Sequence, residues 1–130
     1  MRSRHLSRVV AASPEAVYAV ASDPDRLPEW AAGLASAAVT REGDDLVVDS
    51  PMGRVRVRFV ARNALGVLDH DVVLPDGETV TNPVRVLAHP DGAEILFTVR
   101  QLGMTDDEFD RDCATVEADL GRLAGLVEGG

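Results

Sequence analysis

The stretch MTDDEFDRDCATVEADLGRLAGLVEGG, residues 104–130, decides the fold because one side of it is apolar along nearly its whole length. Thr105 and Glu108 have the spacing of a capping box, and Met104 and Phe109 can pack across this start as a hydrophobic staple. Apolar residues then recur at alternating steps of four and three, and we call them the apolar stripe: Phe109, Cys113, Val116, Leu120, Leu123 and Val127. A long helix with such a stripe is predicted to lie across a large apolar surface.

The residues before this helix are predicted to supply that surface as β-strands. Between Ala35 and Gln101, β-type runs are separated by the turn sequences REGDD, SPMG, RNALG, LPDG and HPDG. Short connections favour antiparallel neighbours, since a parallel pair needs a crossover of about a dozen residues. The run GRVRVRFVAR, residues 53–62, alternates most clearly. Its inward residues are predicted to be Val55, Val57, Phe59 and Ala61, and its outward ones Arg54, Arg56, Arg58, Val60 and Arg62. We interpret the arginines as a solvated face, paired with acidic residues of a neighbouring strand.

The N-terminal part predicts one strand followed by two short helices. The strand is expected around Leu6–Ala12. Ser13 can cap the first helix, with a proline at the first helical position. Asp23 can cap the second helix, which a further proline should stop near Trp30.

A strand, two short helices, an antiparallel meander and a long closing helix are the elements of the helix-grip fold in their usual order. The sequence resembles the START-like superfamily, which includes plant pollen-allergen proteins, polyketide cyclases and dehydrases, and lipid-transfer domains. The resemblance rests on residues 9–30, 66–77, 82–86 and 91–112: VVAASPEAVYAVASDPDRLPEW, GVLDHDVVLPDG, NPVRV and DGAEILFTVRQLGMTDDEFDRD. The last three look like a subgroup of small bacterial, polyketide cyclase-like proteins. The resemblance implies a single α+β domain over 1–130, in which a curved antiparallel sheet wraps around the C-terminal helix.

Three polar residues fall on strand faces that are otherwise apolar and predicted to point inward. His70 alternates with Asp69 and Asp71 in the run 66–77, Asn82 lies in ETVTNPVRVLAH, taken as one strand, and Gln101 ends AEILFTVRQ. Each could be a core group that bonds to nearby backbone. Together they match a mostly apolar ligand pocket with a few polar groups. The predicted ligand-binding residues are His70, Asn82, Gln101, Trp30, Leu68, Val72, Val84, Phe97, Phe109 and Val116.

Trp30 has two interpretations. The resemblance places it at the mouth of the cavity, whereas a plain packing role would need no function. It is the only tryptophan of the chain.

Three functions remain open, and binding or carriage of a small hydrophobic or aromatic, lipid- or polyketide-like molecule is favoured. The alternative is a cyclase or dehydrase in which His70 is the general acid or base and Asn82 or Gln101 holds an oxygen. Asp69 should not reach the His70 ring, because adjacent strand residues face opposite sides. No second titratable group appears on the inferred inward strand faces, which favours binding. The third possibility is a filled core with a protein partner on the surface.

Composition argues against several other classes. A formal net charge of −9 over 130 residues disfavours nucleic acid and anionic membranes as partners. His5, His70 and His89 are scattered, so no metal site is expected, and no glycine-rich phosphate loop or other cofactor motif is present. Cys113, on the apolar stripe, is expected to be a small core residue. A lone cysteine and a charged N-terminal segment predict a cytoplasmic protein. A monomer and a homodimer both remain open.

Overall fold

The computed structural model describes residues 1–32, 39–50 and 53–129. Within these residues the chain forms eight strands and three α-helices. They are β1 (Ser3–Val10), α1 (Pro14–Ala21), α2 (Leu27–Trp30), β2 (Val39–Glu42), β3 (Asp45–Ser50), β4 (Gly53–Phe59), β5 (His70–Val73), β6 (Thr79–Asn82), β7 (Val84–His89), β8 (Gly92–Arg100) and α3 (Asp106–Gly129). A 3-10 turn, Pro24–Arg26, leads directly into α2. The predicted α+β class is confirmed.

Every strand pairing is antiparallel, as the short connections predicted. One hydrogen-bonded group has the order β1-β8-β7 and the other the order β2-β3-β4-β5-β6. Backbone bonds between the segment before β5 and β7 join the two groups: Leu68 N–H donates to Val84 O and Val86 N–H donates to Gly66 O, both over 2.8 Å. The eight strands thereby form one curved antiparallel sheet that holds α3, which is the helix-grip fold.

The sequence 78–89 does not form the single strand that we expected. It divides at Pro83 into β6 and β7, which pair with different neighbours. Proline has no N–H to continue the pairing, and the Pro83 carbonyl instead accepts a bond from Thr98 N–H over 3.0 Å. This break lets the sheet turn around the helix.

Helix α3 begins and packs as its sequence predicts. Thr105 N–H donates to Glu108 Oε1 over 2.9 Å and Glu108 N–H donates to Thr105 Oγ1 over 3.2 Å, so the capping box is formed. All residues of the apolar stripe are buried except Val127, which packs against the core at its edge. The helix lies against β1, β8, α1 and α2.

The N-terminal elements are also confirmed, with a shifted first strand. Ser13 Oγ accepts from Ala16 N–H over 3.1 Å, so the first predicted cap is present. Asp23 Oδ1 accepts from Asp25 N–H over 3.0 Å and caps the 3-10 turn that leads into α2, whereas α2 itself begins without a side-chain cap. Strand β1 starts three residues before the predicted position because residues 3–5 pair with the end of β8.

One predicted side-chain direction is wrong. Ala61 is exposed, because β4 ends at Phe59. Thr98 lies on the outer face of β8 but is buried, since His5 is its partner across β1 and the His5 Nδ1 and Thr98 Oγ1 atoms are 2.8 Å apart.

The arginine face of β4 is solvated and paired, as its sequence indicated. Arg56 lies 2.9 Å from Glu42 and Arg58 lies 2.6 Å from Asp45. The expected strand start at Ala35 and the centre of the SPMG turn, residues 51–52, lie outside the described residues.

Candidate functional site

A cavity of about 410 Å³ lies between the curved sheet and α3. Its walls come from α2, from strands β4–β8, from the loop after β8 and from one side of α3. The lining is mostly apolar and includes Leu27, Phe59, Leu68, Phe97, Met104 and Leu120. The volume falls within the range of about 300–1,000 Å³ that is usual for small-molecule sites.

The structure brings eight of the ten sequence-predicted ligand-binding residues to this cavity. They are Trp30, Leu68, His70, Val72, Asn82, Val84, Phe97 and Val116. Strand alternation explains most of this agreement, since these strand residues share the face that curves around the helix.

Phe109 and Gln101 do not line the cavity. Phe109 is fully buried, and the guanidinium groups of Arg2 and Arg4 lie 5.2 Å and 5.1 Å from its ring centre. Gln101 follows the end of β8, and its Nε2 donates to Met104 O and to Asp106 Oδ1 over 3.0 Å and 2.8 Å. Both residues therefore hold the first turn of α3 in place.

His70 is buried in the cavity wall in its neutral form. Nδ1 lies 3.1 Å from Leu68 O, and because a carbonyl only accepts, Nδ1 carries the proton. Nε2 lies 3.5 Å from Asn82 Nδ2 and accepts from it. Burial lowers the pKa of His70 below its usual 6.5. The imidazole also packs against Phe59, with ring centres 4.7 Å apart.

Asp69 points away from His70, as alternation predicted. Its carboxylate accepts from Arg85 Nε and Nη2 over 2.9 Å and 2.8 Å, and also from Val84 N–H over 2.9 Å. The hydrogen bonds from Arg85 keep the pKa of Asp69 below its usual value. This carboxylate links the strand β5 region to β7 and does not orient the imidazole.

Helix α3 contributes polar groups that our sequence analysis did not select. Asp112, Thr115 and Asp119 line the cavity. They follow one another at steps of three and four beside the apolar stripe, which is the signal that could have identified them. No second titratable group was expected on the inward strand faces, but the cavity is lined by two carboxyl groups from the helix and by Glu78, just before β6.

The two helix carboxyl groups differ in their partners. Asp119 is buried and forms an ion pair with Arg122, whose Nε also donates to Trp30 O over 3.3 Å. Asp112 forms no hydrogen bond or ion pair with any residue that the structure describes. Partial burial raises its pKa.

Trp30 lies in the cavity wall on the α2 side, and its indole N–H has no hydrogen-bond acceptor among the described residues. The residue is 7% exposed, and its indole N–H is buried without an acceptor among the described residues. An N–H in this condition is uncommon, because buried donors are nearly always bonded.

The described ranges, 1–32, 39–50 and 53–129, lack two other functional features. These ranges contain no group of three or more His, Cys, Asp or Glu residues that could hold a metal ion. They also contain no helix that is long and apolar enough to cross a membrane.

A curved antiparallel sheet closed over a cavity by a C-terminal helix defines a helix-grip protein. Residues 1–106 match the family described as polyketide cyclase / dehydrase and lipid transport. The chain therefore belongs to this family, within the START-like superfamily that its sequence resembles.

Solved structures with this fold include several of similar length. The Aha1 dimer from Colwellia psychrerythraea has a TM-score of 0.79 at 14% identity, over 98% of this chain and 97% of that one. A protein from Chromobacterium violaceum has a TM-score of 0.71 at 18% identity, over 98% and 99%. DynU16, a protein of the dynemicin biosynthetic locus, has a TM-score of 0.74 at 20% identity, over 98% of this chain but 48% of its own. Among curated protein sequences none is a match. Identities this low establish the fold alone.

Proposed function

We propose that the protein binds and carries a small hydrophobic or aromatic molecule in the cavity between the sheet and α3. The observation that carries the proposal is the cavity itself, about 410 Å³ with a mostly apolar lining. Covering such a lining with an apolar ligand stabilises the complex by roughly 25 cal/mol of binding free energy for each Å² of apolar surface removed from water.

The polar groups in the wall support an oxygen-bearing ligand. The His70–Asn82 pair lies on one side. Nε2 of the neutral imidazole can accept from a ligand hydroxyl group, and the Asn82 amide can donate to a ligand oxygen. Trp30 contributes an aromatic side chain to the lining on the α2 side. A few polar groups within an apolar pocket orient a ligand without contributing most of the affinity.

Binding can be tested with N-phenyl-1-naphthylamine, an uncharged dye, titrated into the folded protein. Its emission should rise with about one site per chain, and Trp30 emission should change with the same dependence on dye. Val84→Phe should weaken binding because the ring enters the cavity from β7. Leu87→Phe is the matched control, since Leu87 lies on the exposed side of the same strand. A dye signal that appears only on unfolding would contradict the proposal and favour a surface that binds a protein partner.

A cyclase or dehydrase activity is the second candidate, and one observation favours it. His70 and Asp112 are titratable groups that line the same cavity, and their pKa values are shifted by burial. Such groups are the usual participants in acid-base catalysis.

Native mass spectrometry of protein purified from its own host separates the two candidates. A retained molecule that is released unchanged supports carriage. A molecule that is slowly replaced by a product lighter by one water, with the conversion lost in His70→Leu, supports a dehydrase.

A further inference from the structure

A second cavity of about 230 Å³ lies beside the cavity described above, which we now call the main cavity. It is bordered by α1, the 3-10 turn, the turn between β2 and β3 and the end of β4, and its lining includes the charged residues Arg41, Asp45 and Arg62. Among the residues that the structure describes, Phe59 and Leu68 line both cavities. These two residues therefore separate the cavities, and we call them the partition.

The Leu68 side of the partition is fixed through its backbone. Leu68 N–H donates to Val84 O over 2.8 Å, and Leu68 O accepts from His70 Nδ1 over 3.1 Å. The residue is 4% exposed, so its side chain is packed on nearly all sides. Moving Leu68 would break a bond that joins the two hydrogen-bonded groups of strands.

The Phe59 side of the partition consists of one aromatic ring. Phe59 is the last residue of β4, and it is only partly buried, whereas Val55 and Val57 on the same face are fully buried. Its ring rests on the imidazole of His70, its partner across β5, with ring centres 4.7 Å apart. Removing the ring leaves the strand pairing intact, so Phe59 is the part of the partition that a substitution can open.

Phe97 provides a comparison in the same cavity wall. Its ring also lies beside His70, with ring centres 6.0 Å apart, and the residue is also partly buried. It lines the main cavity but not the second one. Removing the Phe97 ring would widen the main cavity, whereas removing the Phe59 ring would join the two cavities.

We propose that Phe59 limits the length of the ligand that the protein accepts, because its ring closes the main cavity towards the second one. The proposal rests on the proposed function, since it names a specificity-determining residue of the same cavity. A compact hydrophobic molecule fits on one side of the ring. An elongated molecule of the same cross-section needs space on both sides, so the class of ligand is compact rather than long and rod-shaped.

The test uses stilbene, diphenylbutadiene and diphenylhexatriene, uncharged rods that differ only in the number of double bonds between two phenyl rings. Fluorescence titrations of the native protein should give an affinity that falls along this series. In Phe59→Ala the order should reverse, and diphenylhexatriene should bind about tenfold more tightly than to the native protein, because the joined cavities cover more of its apolar surface. Phe97→Ala should keep the native order. An unchanged order in Phe59→Ala, or an equal reversal in Phe97→Ala, would overturn the proposal.

The compact dye N-phenyl-1-naphthylamine separates failure of this proposal from failure of the proposed function. If the dye binds to none of the three proteins, the proposed function itself fails. If the dye binds but Phe59→Ala gains no affinity for diphenylhexatriene, only the length limit is rejected. Thermal melts show whether both alanine variants fold. Should either one not fold, Phe59→Leu and Phe97→Leu repeat the comparison, and only Phe59→Leu should improve the binding of diphenylhexatriene.

Discussion

The Nδ1–H of His70 donates to the carbonyl oxygen of Leu68, two residues earlier in the chain, over 3.1 Å. Both residues line the cavity, so this bond fixes the imidazole in the wall and fixes the backbone that enters β5. A histidine on an inward strand face is here a satisfied core group that also lines the cavity.

His70→Leu should therefore lower the free energy of unfolding by about 1–3 kcal/mol, because a buried carbonyl loses its donor. Urea denaturation of the two proteins measures the difference. Leu87→Ala, on the exposed side of β7, should change the midpoint little. An unchanged midpoint in His70→Leu would mean that the Leu68 carbonyl needs no partner.

Stability should also fall as the pH decreases below about 6.5. The folded pKa of His70 lies below its usual 6.5, so the unfolded chain binds a proton first as the pH falls. The loss should continue until the folded pKa is reached, and it should be absent in His70→Leu. Urea midpoints collected between neutral pH and about pH 5 test this. A pH slope that is equal in both proteins would contradict it.

The sequence was sufficient to predict the fold because the local signals agree with one another. The capping box at Thr105 and the apolar stripe predict a long amphipathic helix, and the alternation in β4 predicts a sheet with one apolar face. The helix and the sheet each need the apolar surface that the other one supplies. The break at Pro83 was not predicted, since a proline between two runs of alternating residues is compatible with an edge strand as well as with a strand that changes neighbours.

The candidate site was predicted less completely for a different reason. Strand alternation identifies the face of a side chain, and it placed His70 and Asn82 correctly beside the cavity. Strand alternation does not indicate which residues of a helix line a cavity, so Asp112 and Asp119 were not predicted. Gln101 lies one residue beyond β8, where the alternation no longer holds.

Asp69→Asn should destabilise the protein by about 1–2 kcal/mol, because the bidentate pair with Arg85 links the two parts of the sheet. The pKa of Asp69 is lowered, so its contribution is present above the usual value of 3.8 and is lost as the pH falls towards the folded pKa. Asp25→Asn is the control. Its 3.5 Å contact with Arg41 is exposed, and such pairs contribute between zero and about 1 kcal/mol. Equal effects in thermal melts would show that the Asp69 pair is also only a surface contact.

Leu120→Asp should unfold the protein or come close to it, with a loss of about 3–5 kcal/mol. Leu120 is 1% exposed in the middle of the apolar stripe, where a carboxylate would be buried without a partner. Glu117→Ala, on the exposed side of α3, should leave the melting temperature nearly unchanged. Far-UV circular dichroism of both variants provides the measurement, and a folded Leu120→Asp with an unchanged midpoint would place α3 elsewhere.

Gly66→Ala tests the junction between the two hydrogen-bonded groups of strands. Gly66 has a φ of +75°, and a Cβ at this position would overlap Val86 O, in the backbone of the strand to which Gly66 is hydrogen-bonded. The methyl group would have to displace β7, so the Gly66–Val86 bond and the position of Leu68 in the cavity wall should both be lost. Gly43→Ala separates this clash from ordinary strain, because Gly43 has a φ of +62° with nothing within 4 Å of its Cβ. The control should cost about 1–2 kcal/mol, and Gly66→Ala should cost clearly more and also weaken the binding of N-phenyl-1-naphthylamine. Equal losses of stability in the two variants, with binding retained, would show that the junction adapts and that the cavity does not depend on it.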